Sequence, residues 1–324
     1  MAAWAQLVVG GLTNMSLFFN LAEGRKRYFL LSAIIIGLGI AAMVYSWATT
    51  GAPFQLGVDF RSGTRFEVQF TEPVTELQIR EEFENFDINN PDVIALRGEG
   101  LQNAWQIRTE FVSSETQLAI VAALDEMTPL IPDSTETQSI SPAVGQEVTR
   151  AAFIAIVVAA VIILVYIMIV FRQVANPLRY GVCAVTAMIH DLFVIFGFAA
   201  LTSMFFGWEV DALFLTAVLT VAGFSLQDTI VVFDRIRENI QKRPTEHYET
   251  VVNRSILETI HRSLATQLNA MFVMVAILLF GGASIKPFIA VLLVGLLSGT
   301  YSSIFTAVPL LVAWEKNEIP FLKA

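Results

Sequence analysis

Six apolar runs, each long enough to cross a bilayer, set the terms for this chain: residues 28–47, 151–171, 178–201, 212–233, 264–280 and 288–314. A hydrocarbon core of about 30 Å takes about 20 helical residues to span. Inside it every backbone N–H and C=O must find its partner within the protein, which for runs of this kind means helices. The composition agrees. Of 324 residues, 55% are hydrophobic and only 15% charged, with a mean hydropathy of +0.63. A soluble domain of this size carries about 25% charged residues. The fold class expected is therefore a polytopic α-helical membrane protein with six transmembrane helices.

The charge is unevenly spread. Residues 51–147 hold 17 acidic and 5 basic side chains, while the remainder holds 12 acidic and 15 basic. An acidic soluble domain is thus set between the first and second runs of a mildly basic membrane body, and a nucleic-acid partner is not expected. Lys and Arg give the orientation. Arg25, Lys26 and Arg27 precede span one, and Arg172 and Arg179 lie between spans two and three. Arg235, Arg237, Lys242, Arg243, Arg254 and Arg262 lie between spans four and five, and Lys316 and Lys323 follow span six. The opposite side, outside the large domain, has Arg150 and Lys286. Both termini are expected in the cytoplasm, and the acidic domain outside.

The divisions expected are a cytoplasmic or interfacial segment 1–27, a first span 28–50, an external domain 51–147, spans two to six over 148–314 and a cytoplasmic tail 315–324. Residues 1–21 lack the basic start and Ala-x-Ala site of a signal peptide and read as an interfacial helix. Residues 248–261 are amphipathic and are expected to lie along the cytoplasmic interface. The one cysteine, Cys183, falls in an apolar run and reads as a packing residue.

Within the external domain, Thr64–Phe70 alternates as a strand, and Thr75 is placed to cap a helix reaching Phe86. Val93–Leu96 and Trp105–Phe111 form a strand pair around the Gly98-Glu99-Gly100 turn. Ser114 is expected to cap a helix over Glu115–Met127, and Thr137–Ile140 supplies a last strand. The order βαββαβ predicts a ferredoxin-like α+β domain. It contains no His, Cys or glycine-rich phosphate loop, so a protein-binding platform is expected there, with no enzymatic chemistry, cofactor or metal site.

The chemistry is expected in the membrane. Asp228 lies inside the fourth run, about 7–9 Å from its end at Phe233. A carboxylate at such depth costs about 2.5–3.5 kcal/mol and needs a partner, a water path or a proton. Ser225, Asp228, Thr229 and Val232 share one helical face. His190 and Asp191 sit near the middle of span three, where proton handling is one reading and a hydrogen-bonded packing histidine the other. Arg262, Thr266 and Asn269 repeat at i, i+4, i+7 at the cytoplasmic end of span five. Arg262 reads either as a snorkelling arginine or as the charge partner of Asp228. Gly295 and Gly299 in span six form a GxxxG helix-packing signal, followed by Ser302, Ser303 and Thr306.

Four segments carry a resemblance. These are Gly57-Val58-Asp59-Phe60 with Gly63-Thr64, His190-Asp191, the stretch from Gly223 to Asn239, and Gly299-Thr300-Tyr301-Ser302-Ser303-Ile304-Phe305. With the six-span layout they resemble the SecF branch of the SecD/SecF membrane proteins of bacterial protein export, within the resistance–nodulation–division superfamily. The resemblance implies pairing with SecD, docking on the SecYEG channel, contact with a translocating preprotein and residence in the lipid of the bacterial inner membrane. It implies use of the proton motive force to promote late translocation and release, with protons as the coupling ion. Asp228 and Arg262 fall on family positions tied to proton transport; Asp191 or His190, on its own chemistry, is expected as a relay.

The chain departs from the family pattern in places. Ser62 stands where the family has Gly, Phe224 replaces Tyr, and Gln227 replaces Asn while keeping an amide next to Asp228. Gly57, Asp59 and Gly63 are expected to act as a hinge between span one and the domain, which Ser62 would stiffen. Two other readings stay open, a proton-coupled small-molecule exporter and a passive membrane scaffold. One external domain of about a hundred residues leaves the exporter little from which to build a pocket.

Overall fold

A computed structural model of the chain describes residues 24–89, 91–96, 101–174, 176–282 and 285–318. The expected interfacial helix over residues 1–21, the Gly98-Glu99-Gly100 turn and residues 319–324 of the tail lie outside the described residues.

Six helices among the described residues are long and apolar enough to cross a membrane: Arg25–Thr50, Pro142–Val170, Pro177–Phe206, Ala212–Lys242, Tyr248–Phe280 and Lys286–Glu315. They are spans one to six. Spans three, four and six are the inner ones, with 50%, 44% and 61% of their apolar windows buried, against 6–17% for the other three. His190 and Asp191 of span three and Ser225, Asp228 and Thr229 of span four are all buried. Packing is closest where side chains vanish. A Cβ on Gly39 of span one would lie 3.1 Å from the Gly197 Cα of span three, so those two helices meet backbone to backbone. Phe171, Tyr180 and Phe233, all buried, form an aromatic corner with ring centroids 5.2–6.2 Å apart.

Two elements differ from expectation. Span five is one unbroken 33-residue helix from Tyr248, so residues 248–261 do not form a separate interfacial helix. No Gly or Pro interrupts that stretch, and Val251, Val252, Ser255, Ile256 and Thr259 bury a continuous face in protein. Span six is not uniform. Its α-helix Lys286–Ser302 gives way to a π-turn, Ser303–Ala307, before Val308–Glu315 resumes. Pro309 follows directly. Its ring has no N–H and crowds the carbonyl one turn back, a usual cause of such a local widening.

The chain divides into two compact units, and the second comprises Gln55–Ala155 together with Phe206–Ala212. It contains a short helix α1 (Val58–Arg61), β1 (Gly63–Gln69), α2 (Glu76–Glu84), β2 (Asp92–Ala95), β3 (Ala104–Thr109), α3 (Ser114–Met127) and β4 (Glu136–Ile140). The strands form one antiparallel sheet in the order β2-β3-β1-β4, the ferredoxin-like arrangement. Register places Phe66 opposite Ile107 and Thr137. Alternation then sends Phe66, Val68 and Ile107 toward Ile79 and Phe83 of α2 and Ile120 and Leu124 of α3, all buried in one core. Each such side chain contributes about 1.5–3 kcal/mol.

Local chemistry fixes the helix starts. Thr75 and Gln78 form a reciprocal capping box at α2. At α3 the cap is Ser113, whose hydroxyl accepts the Thr116 N–H at 3.2 Å, one residue ahead of the expected Ser114. Both serines are good caps.

Candidate functional site

The buried face of span four runs through Val218, Val221, Ser225, Asp228, Val232 and Ile236, spaced by three or four residues as a helix requires. Asp228 is 4% exposed. Its partner is Gln267 of span five, whose Nε2 donates to Oδ2 at 2.6 Å. Thr229, also buried, turns its hydroxyl back onto the Ser225 carbonyl at 3.0 Å and leaves the carboxylate alone.

The expected Asp228–Arg262 pair does not form. Arg262, Thr266 and Asn269 all lie on an exposed face of span five, while Ser255, Thr259, Ser263 and Gln267 form the buried one. At about 100° per residue, Arg262 and Gln267 point about 140° apart, so one helix cannot aim both at the same acid. Thr266 spends its hydroxyl on the Arg262 carbonyl at 3.0 Å. Gln227 likewise lies on the exposed side of span four, so the amide beside Asp228 comes from Gln267.

Asp191 is the second buried acid, with no exposed surface. Ser298 donates to its Oδ1 at 2.6 Å and Ser302 to its Oδ2 at 2.7 Å, both from span six. His190 Nδ1 lies 3.1 Å from Oδ1. The His190 ring stacks on Tyr301 at 5.9 Å, and its Nε2 is buried without a hydrogen-bond partner. Tyr301 in turn donates to the Tyr28 carbonyl of span one at 3.1 Å.

Span six serves both acids by having two faces. Ser298 and Ser302 turn to span three. Gly295 and Gly299 turn to span four, where a Cβ on Gly295 would run into Val221 and one on Gly299 would lie 3.3 Å from the Ser225 Cα. The GxxxG pair thus sits against the helix that carries Asp228. Neither His190 nor Asp191 bonds to Asp228, and each acid has its own donors. Ser298, Ser302 and Gln267 are the partners that sequence reasoning missed as ligands. Their signal was the i, i+4 spacing of Ser298 with Ser302 and of Ser263 with Gln267 inside apolar runs.

In the external unit, Gly57, Asp59 and Gly63, the residues expected to act as a hinge, are closely packed. Asp59, 9% exposed, accepts from Gln138 Nε2 at 3.0 Å and from the Ala212 N–H at 2.9 Å. Gly57 N–H donates to the Val210 carbonyl at 2.8 Å, and a Cβ there would lie 3.2 Å from the Asp211 Cβ. Gly63 adopts φ +124°, and a Cβ would sit 2.5 Å from the Thr109 carbonyl oxygen. Glu209 also lies in this unit. Burial pushes its carboxyl up, and Arg108, Arg65 and Gln106 pull it back.

These features define a class: a multi-pass helical membrane protein with acids buried among its inner spans and a ferredoxin-like domain inserted after the first. Comparison with known proteins makes it particular. Residues 120–317 match the family of protein export membrane proteins SecD/SecF, C-terminal part, and residues 47–74 match the SecD/SecF GG motif. The protein translocase subunit SecF of Thermobaculum terrenum is 38% identical over 92% of this chain and 95% of its own length. SecDF of Bacillus subtilis is 33% identical over 93% of this chain, which covers 39% of that longer protein. A crystal structure of SecDF from Thermus thermophilus, described as a translocon-associated membrane protein, superposes with a TM-score of 0.77 at 25% identity, over 92% of this chain and 39% of that one. This chain belongs to the SecD/SecF family of protein-export membrane proteins, on its SecF side.

Proposed function

We propose that this chain is a proton-coupled auxiliary subunit of the Sec preprotein-translocation machinery of the bacterial inner membrane. It acts with SecD at the SecYEG channel, uses the proton motive force and promotes late translocation and release of the preprotein outside. The single observation that carries this reading is Asp228, an acid buried in a membrane span whose bond is to an amide and not to a cation. An isolated charge is expensive there, so the group gains by taking up a proton when one is delivered.

Gln267 suits such a cycle because an amide both donates and accepts. With Asp228 ionised, Gln267 Nε2 donates to the carboxylate. With Asp228 protonated, its new O–H can donate to Gln267 Oε1 after the amide turns over. The contact between spans four and five survives both states while the charge comes and goes. Each proton crossing the membrane yields about 2.3 kcal/mol per 100 mV. His190, with one ring nitrogen bonded toward Asp191 and the other unpartnered, is the proposed relay.

SecD is the proposed partner because the B. subtilis relative bears the combined name SecDF in one chain. The exposed polar stripe of Arg262, Thr266 and Asn269 is the surface we propose for it. The test is release of a preprotein from vesicles reconstituted with this chain, SecD and SecYEG. Asp228→Asn should abolish the stimulation by a proton gradient while complex assembly persists. Stimulation at the wild-type level would sink the proposal.

A further inference from the structure

The connection between spans three and four, residues 207–211, carries an acid into protein instead of leaving it in water. The Glu209 side chain is 6% exposed. It lies on the sheet face opposite α2 and α3, where β1 and β3 present Arg65, Gln106 and Arg108. Arg108 Nε is 3.1 Å from Oε1 and Arg65 Nη1 3.9 Å from Oε2, and Gln106 Nε2 donates to Oε1. Backbone bonds stitch the same segment down. Gly57 N–H donates to the Val210 carbonyl and Val210 N–H to the Gln55 carbonyl, both at 2.8 Å. The next residue, Ala212, opens span four, and its N–H is held by Asp59.

A connection that only joined two helices would not need these bonds. Short loops keep their polar side chains in solvent, and a carboxylate is buried only where cations and donors meet it. Span four then runs without a break from Ala212 to Lys242, and Asp228 lies sixteen residues on, about 24 Å along the helix. We infer that Glu209 is a positioning residue that fastens the segment leading into span four, residues 207–212, to the sheet of the external domain. The role in coupling rests on the proton-coupled reading above; the fastening itself does not.

The test uses the full chain co-expressed with SecD, in wild-type form and as Glu209→Gln and Glu209→Ala. A further Glu209→Ala variant carries Leu56→Cys and Val210→Cys, residues paired across the parallel bridge. The native Cys183 is buried and does not interfere. Amide hydrogen exchange over residues 207–212 reads the fastening. It should quicken about tenfold in Glu209→Ala and less in Glu209→Gln. Gradient-dependent preprotein release reads the coupling. It should fall several-fold in Glu209→Ala and return when the cysteine pair is oxidised. Unchanged exchange would overturn the fastening. Faster exchange with wild-type release, or a disulfide that restores the exchange but not the release, would overturn the coupling. If Glu209→Ala fails to accumulate, Glu209→Gln carries both readouts, and exchange and release both at the wild-type level would overturn the proposal. Should Asp228→Asn retain gradient dependence, the proton reading fails, while exchange still decides whether Glu209 fastens the segment.

Discussion

The Asp228 carboxylate accepts its short hydrogen bond from the Gln267 amide. Removing the amide leaves a buried acceptor without its donor, a loss of about 1–3 kcal/mol. Gln267→Leu should therefore destabilise the purified chain by about that amount in denaturant titrations in detergent. Arg262→Leu, on the exposed face, should stay within about 0.5 kcal/mol of wild type. Equal effects would contradict the assignment of Gln267 as the partner of Asp228. Ser62 allows a second test. It adopts φ +63° and ψ 166°, a conformation that is easy for glycine and strained for a residue with a side chain. Ser62→Gly should raise stability by about 1 kcal/mol in the same titration. At this scale the acids were legible in the sequence, because Asp191 and Asp228 interrupt apolar runs. The partner of Asp228 was not. Arg262 and Gln267 both lie near the right depth, and only the rotational setting of span five decides between them.

Among the elements, span six has the most demanding geometry, with glycines toward span four, serines toward span three and a π-turn below both. Gly295 has no room for a methyl group against Val221, whereas Gly37 of span one has nothing within 4 Å of where its Cβ would be. Gly295→Ala should cost about 1–3 kcal/mol through overpacking, and Gly37→Ala should be neutral or slightly stabilising, since alanine is the better helix former. Thermal unfolding of the two variants side by side checks this, and a neutral Gly295→Ala would mean spans four and six are not in close contact. Small residues at i, i+4 made that contact readable from sequence. The π-turn was not readable, because Pro309 signals a disturbed helix without saying whether it kinks, breaks or widens. Nor was the continuity of span five, whose first 14 residues are amphipathic in a way that suits a membrane interface and a protein groove equally.

For the molecule as a whole, the ferredoxin-like domain could be read from strand alternation and two capped helices, since those signals are local. What could not be read is that residues 206–212 belong with it. Gly57, Asp59 and Glu209 come together across about 150 positions of sequence, and no periodicity records such a contact. Orientation is the remaining property of the whole chain, and here the charge pattern makes a firm prediction. The six spans among the described residues put residues 24 and 318 on one side, and the arginine- and lysine-rich connections predict that this side is the cytoplasm. Leu118 on α3 is 74% exposed, so a cysteine there reports the domain's side directly. In cells with a permeabilised outer envelope and an intact inner membrane, Leu118→Cys should react with an impermeant maleimide, while wild type, whose Cys183 is buried, should not. Reporters fused to either terminus should be active only if they fold in the cytoplasm. Labelling of Leu118→Cys only after the inner membrane is broken would invert the molecule. The fastening at Glu209 would then lie in the cytoplasm, and a gradient that drives protons inward would meet the domain last instead of first.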